Sequence, residues 1–108
     1  MVKVQQYGIY WVDLNPTRGA EINKIRPCVV VSPDELNEHL ATVIVIPLTS
    51  QVHNYPWRMN TMVDGKQAEF VVDQIKSLDK LRIGKKMCDL SNQDINHLKQ
   101  CLKEMLID

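Results

Sequence analysis

No sign of charge predominates in this sequence: 13 Lys and Arg balance 13 Asp and Glu over 108 residues, for a formal net charge of zero. A nucleic-acid-binding domain commonly carries a clear basic excess, so composition excludes a uniformly cationic surface, and any basic site must come from local clustering. Cysteine is scarce too. Cys28, Cys88 and Cys101 are odd in number, hold no C-x-x-C and make no Cys/His pair at zinc-site spacing, which speaks against a disulfide framework and for reduced thiols. No apolar run approaches the roughly 20 residues that span a bilayer, and the opening residues, Met1 to Gln6, form no apolar signal core. No obvious carboxylate cluster offers a two-metal site, and no internal repeat or linker is visible. These absences give the expectation of one soluble, cytoplasmic domain with no membrane association and no cofactor, long enough to bury a core without staples.

What the chain does contain is a succession of short β-type runs. Tyr7 to Leu14 is β-branched and aromatic and stops at Asn15-Pro16, which predicts a strand with Trp11 in the core. Asn15 to Ile25 is polar and reads as a loop of about ten residues, a length that often carries function. Arg26 to Pro33 predicts a second strand whose continuous apolar centre is buried on both faces, and Pro33 to Asn37 a turn opening a short helix. Ala41 to Leu48 predicts a third strand, with Thr49 just past its end. After a loop at Ser50 to Tyr55, a strand is expected from Pro56 to Val63, with Asp64-Gly65 as a hairpin turn. Two more are expected at Glu69 to Ile75 and Leu78 to Cys88. The last segment predicts a helix: Ser91 suits the N-cap, Asp94 follows three residues on, and Ile95, Leu98, Leu102, Met105 and Leu106 share one face. Strands that follow one another without crossover helices favour an antiparallel sheet or small barrel.

Two stretches carry a family likeness. The first runs Ile9-Tyr10-Trp11-Val12-Asp13-Leu14-Asn15-Pro16-Thr17-Arg18-Gly19-Ala20-Glu21 and on through Arg26-Pro27-Cys28-Val29-Val30-Val31-Ser32; the second is Val45-Ile46-Pro47-Leu48-Thr49-Ser50. Together with Tyr55-Pro56 and Asp73-Gln74-Ile75-Lys76-Ser77, in order and at fitting spacing, they closely resemble the MazF/PemK (Kid) toxin family: an aromatic strand, Pro-x-x-Gly-x-Glu, Arg-Pro before a valine-rich strand, then Pro-x-Thr. The resemblance covers nearly the whole chain. It implies a mainly β (α+β) fold, a small SH3-like antiparallel β-barrel with a short helix and a C-terminal helix. It further implies a homodimer, a cognate antitoxin as partner, and metal-independent cleavage of single-stranded RNA at short motifs. Arg26 and Thr49 match the family's catalytic positions and Glu21 a loop acid near the site. The sequence departs from the family in two places. Tyr7 and Gly8 stand where relatives commonly have Gly followed by an acid, and Ile25 stands where some carry histidine.

The residue types suit that chemistry. RNA brings its own nucleophile, the 2′-hydroxyl beside the scissile phosphate. Arg26 can place two hydrogen bonds from a planar, permanently charged fork on the phosphorane oxygens, and preorganised donors of this kind contribute roughly 3–4 kcal/mol each. The same permanent charge disqualifies it as a general base. Thr49 can orient the phosphate. For the base, Glu21 is the first candidate and His53 the second. Arg18 and Lys24 add charge near the first loop, while Lys76, Lys80, Arg82, Lys85 and Lys86 make a second basic group suited to backbone contacts. Tyr55 and Trp57 can stack on unpaired bases, with one of the two expected to pack instead; Asp73 and Gln74 can read base edges. Two other readings compete: a non-enzymatic, CcdB-like toxin acting on DNA gyrase, whose kind lacks the Arg-Pro and Pro-x-Thr pair present here, and a catalytically inactive relative that only binds RNA or an antitoxin.

Overall fold

The computed structural model describes residues 3–15, 19 and 24–108. Among these, the strands are β1 (Gly8–Asp13), β2 (Ile25–Val30), β3 (Thr42–Thr49), β4 (Met59–Val63), β5 (Lys66–Phe70), β6 (Lys76–Asp79) and β7 (Ile83–Asp89). The helices are α1 (Asp34–His39) and α2 (Asn92–Leu106). Every strand pairing is antiparallel. The sheet runs β4-β5-β3-β2-β1-β7, and β6 pairs with β3 beside β5. The chain passes from β6 to β7 through a single 3-10 turn, Lys80–Arg82, so the sheet curls round as a half-barrel. This is the mainly β, SH3-like architecture expected from the sequence.

Side chains alternate across a strand, and here both faces are covered. Tyr10, Val12, Cys28, Val30, Val43, Val45 and Ile83 form the core inside the curl. Ile9, Val29, Ile46 and Leu48, one position out of phase, meet Met59 and Phe70 of the β4–β5 hairpin and Leu98 and Cys101 of α2 on the other side. That is why the valine-rich centre of β2 reads as a continuous apolar run. Burial pushes the Cys28 thiol up to about 12, against a smaller opposing pull from Lys76, so Cys28 is an inert core residue.

Local signals account for the ends of several elements. Ser91 caps α2, its hydroxyl accepting the Asp94 N–H at 3.2 Å. Asp64 and Gly65 take φ of 50° and 80°, the left-handed pair of a two-residue hairpin, and set Val63 opposite Lys66. That register starts β5 at Lys66, earlier than its polar first residues suggest. The segment expected to be a strand from Glu69 to Ile75 instead ends its pairing at Phe70 and turns through a 3-10 helix, Val72–Gln74. The strand expected from Leu78 to Cys88 is two strands. The Asp79 carboxylate accepts the Leu81 N–H at 2.8 Å and caps the 3-10 turn between them. Pro56 does not open β4, because residues 55–58 form a turn, with the Arg58 N–H donating to the Tyr55 carbonyl and Trp57 at φ 61°.

Leu98 is fully buried where α2 covers the sheet. Leu98→Ala is expected to lower unfolding free energy by about 2–5 kcal/mol, read from the urea midpoint at unchanged slope; a shift under about 1 kcal/mol would show that α2 does not close this core.

Candidate active site

Arg26 enters the site through strand register. β2 pairs with β3 at Cys28–Pro47, Val29–Ile46 and Val30–Val45. Continuing that ladder outward past Pro27 and Pro47, neither of which has an N–H to donate, brings Arg26 across from Thr49. Both residues are half-buried and line one open groove of about 280 Å³. Thr49 is the last residue of β3 rather than lying beyond it. Its hydroxyl oxygen accepts the Gln51 N–H at 3.2 Å, which leaves the hydroxyl proton to donate to a bound oxygen.

Trp11 was expected in the core; it is 41% exposed and forms a wall of this groove with Ile25, Leu48, Met87 and Lys66. Its face of β1 is the one that buries Ile9, but the cover of hairpin and helix stops short of position 11. Beside the groove, the base of the first loop is closed by backbone and side chain. The Lys24 N–H donates to Asn15 Oδ1 at 2.9 Å and the Leu14 N–H to the Lys24 carbonyl at 3.0 Å. Lys24 itself is exposed, at φ 70°. Glu21 and Arg18 lie outside the described residues.

A second cluster follows directly on Thr49. Glu69 stands opposite Thr49 on β5 and its side chain is 0% exposed. Its Oε1 accepts the N–H groups of His53 at 2.9 Å and Asn54 at 3.0 Å; its Oε2 accepts from Arg58 Nη1 at 3.0 Å and lies 3.6 Å from His53 Nδ1. Arg58 forks onto Asp73 as well, Nε to Oδ1 at 2.8 Å and Nη2 to Oδ2 at 3.0 Å. Above this network the His53 and Tyr55 rings lie parallel, 5.2 Å apart, with the Arg58 guanidinium 4.8 Å from the Tyr55 centroid. Burial opposes ionisation of Glu69, but the two amides and Arg58 outweigh it and hold the carboxyl below the usual range. Arg58 likewise holds Asp73 down and is itself raised by the pair.

Comparison with known proteins places the chain in a family. The family model of PemK-like, MazF-like toxins of type II toxin–antitoxin systems matches residues 5–106. The chain belongs to that family. Among relatives, it is 27% identical over 100 residues to a protein of Staphylococcus saprophyticus named Endoribonuclease MazF, covering 87% of this chain and 83% of that one. In fold it is similar to the crystal structure of MazF from Deinococcus radiodurans, with TM-score 0.87, 21% identity and 98% of each chain covered. It is also similar to a mycobacterial endoribonuclease solved in complex with its cognate antitoxin, with TM-score 0.79, 21% identity, and 98% of this chain and 95% of that chain covered.

In this MazF-like toxin the residues singled out from sequence fall into separate places. Arg26 and Thr49 share the groove. His53, Tyr55 and Asp73 belong to the neighbouring cluster. Tyr55 and Trp57 are both about half exposed, and Tyr55 is the one that packs, against the His53 ring and the Arg58 guanidinium. Asp73 uses both oxygens on Arg58. Gln74 ends the 3-10 helix and Lys76 opens β6, set against Val45. The second basic group is not an open patch: Lys80 donates to the Asn37 carbonyl, Arg82 to the carbonyls of Asp13 and Asn15, and Lys86 pairs with Asp89 at 2.6 Å. Sequence reading missed Glu69 and Arg58, the centre of that neighbouring cluster. An acid inside an otherwise apolar run, Ala68-Glu69-Phe70-Val71-Val72, was the available signal.

Because the Glu69 and Asp73 carboxyls are lowered in the folded state, their contribution is complete above the ordinary carboxylate range and disappears as pH falls through their folded values. The toxin's 51–58 segment is therefore expected to stay ordered from pH 8 to 5 and to loosen only below about pH 4. Amide exchange at His53 and Asn54 measures this; loss of protection centred near pH 6 would contradict the assignment.

Proposed function

We propose that this toxin is a metal-independent, sequence-selective endoribonuclease of the cytoplasm. It cuts single-stranded RNA by attack of the 2′-hydroxyl on the adjacent phosphate, leaving a 2′,3′-cyclic phosphate and a 5′-hydroxyl. The observation that carries the reading is the meeting of Arg26 and Thr49 in one groove, since a permanent cation beside a hydroxyl is what a crowded, doubly charged phosphorane needs. In this scheme Arg26 stabilises the phosphorane oxygens and Thr49 orients the phosphate through its free proton. Glu21, a few residues before β2 in sequence, takes the proton of the attacking hydroxyl. His53, the other candidate, does not line the groove and has its ring engaged by Tyr55 and its Nδ1 turned to Glu69.

Beside this centre, Arg18, Lys24 and Lys76 supply phosphate contacts; His53, Tyr55 and Trp57 meet unpaired bases; Asp73 and Gln74 border the base edges. Relatives with solved antitoxin complexes support a cognate antitoxin as the partner that restrains this chain, and the likeness to the family leads us to propose a homodimer as its working form. The Arg-Pro and Pro-x-Thr pair, absent from CcdB-like gyrase inhibitors, is here assembled in one place, which favours the nuclease.

Purified protein with a long single-stranded RNA in excess EDTA is expected to give discrete fragments ending in 2′,3′-cyclic phosphate. Intact RNA with stalled gyrase, or RNA retained uncut, would overturn the proposal. Arg26→Ala is expected to lower cleavage at least about 100-fold while circular dichroism and oligomeric state stay unchanged. DNA of the same sequence is expected to survive, because it lacks the attacking hydroxyl, and cutting of DNA would rule out this mechanism.

A further inference from the structure

Glu69 presents a physical puzzle that the catalytic pair does not resolve. A carboxylate with no exposed surface carries a desolvation cost that well-packed apolar residues avoid, and exchanging a buried ion pair for such residues is often neutral or stabilising. Stability is thus a weak reason for its presence. All the side-chain polar contacts described for Glu69 go to one short segment: two backbone N–H groups, one imidazole and one guanidinium, all within residues 53–58. That segment starts beside Thr49 and contains two non-glycine residues at positive φ, Asn54 at 58° and Trp57 at 61°. This backbone is strained for L side chains and persists only when its surroundings over-determine it. Asn60, opposite Glu69 on the other side of β5, adds a further tie, donating from Nδ2 to Asn54 Oδ1 at 2.7 Å.

The tethering has a specific product. The His53 and Tyr55 rings are exposed yet fixed parallel to each other, supported by Arg58. An exposed aromatic pair held in place before binding loses little conformational entropy when a flat ring stacks on it. We propose that Glu69 is a positioning residue: it holds the 51–58 segment as a preformed stacking wall beside the Arg26–Thr49 groove, and through that wall sets affinity and base preference for unpaired RNA without entering the chemical step. The inference rests on the nuclease reading above. Glu69 touches no solvent and so cannot meet the reacting atoms.

The test compares wild type with Glu69→Gln, which keeps the size and one amide-accepting oxygen but removes the charge that faces Arg58. Two readouts are used: the Kd for a fluorescent, non-cleavable 2′-O-methyl RNA, and kcat and KM on the cleavable oligonucleotide. Expected are a rise of about tenfold in Kd and KM, kcat within about twofold, and a reduced preference between good and poor cleavage motifs. Amide exchange should become faster at His53 and Asn54 while β1 to β3 stay protected. In a Tyr55→Ala background, Glu69→Gln should add little to KM. Unchanged Kd and KM, a loss confined to kcat, or full additivity with Tyr55→Ala would each overturn the proposal. Should Glu69→Gln fail to fold, Arg58→Lys, which keeps the charge but cannot fork across both acids, is expected to raise KM several-fold at constant kcat; an unaltered KM there overturns it equally. Wild type that binds RNA without cutting it would refute the nuclease reading while leaving the Kd comparison to judge Glu69. Wild type that does neither refutes both.

Discussion

Three backbone pairs, Cys28–Pro47, Val29–Ile46 and Val30–Val45, join β2 to β3, and the candidate site hangs from that ladder. A slip of one residue would turn every side chain of β2 to the opposite face. It would exchange Cys28 and Val30 for Val29 on the face inside the curl and turn Arg26 away from Thr49. The register is held because both faces of these strands are buried: one by Tyr10, Val12 and Val43 inside the curl, the other by Phe70, Met59 and Leu98 outside it. Packing thus fixes where a guanidinium stands relative to a hydroxyl, and the two prolines end the ladder where the site begins.

Charge is arranged on the same economy. With no net charge to spend, the chain does not cover itself with cations. Several of its Lys and Arg residues close carbonyl groups or pair with acids: from the 3-10 turn Lys80 reaches α1 and Arg82 reaches the end of β1, Lys86 meets Asp89, and Arg58 bridges Glu69 and Asp73. The exposed pairs among these add little free energy. The Glu69 network is different in kind, because a carboxylate away from water leaves its partners few alternatives, and a loop that would otherwise sample many shapes is held in one.

Much of the fold was legible from periodicity and punctuation. The valine-rich run at 28–31 reads as a strand buried on both faces, Asp64-Gly65 as a tight hairpin, and Ser91 before an apolar stripe as the start of α2; each is local chemistry acting on its own backbone. The misjudged stretches depend on partners distant in sequence. Lys66 and Gln67 look too polar for a strand until the hairpin turn pairs them with β4. The break at Lys80–Arg82 makes sense only because β6 must join β3 while β7 joins β1. Trp11 looks like core because aromatic residues usually are, but no element among the described residues extends far enough to cover it.

For the site the division is similar. The amino-acid order alone determined the chemical inventory, an Arg-Pro at the start of one strand and a Pro-x-Thr at the end of the next with a family's spacing, because those features are read along a single segment. Tertiary structure decided which members of the inventory meet. Arg26 and Thr49 come together through a ladder register, whereas Asp73 is drawn to Arg58 and Glu69 is sunk beneath the 51–58 segment through contacts that link residues 11 to 16 positions apart. Burial and pairing are properties of the packed surface, so no reading of Glu69 as one acid among 13 could assign its place before the strands on either side of it were known.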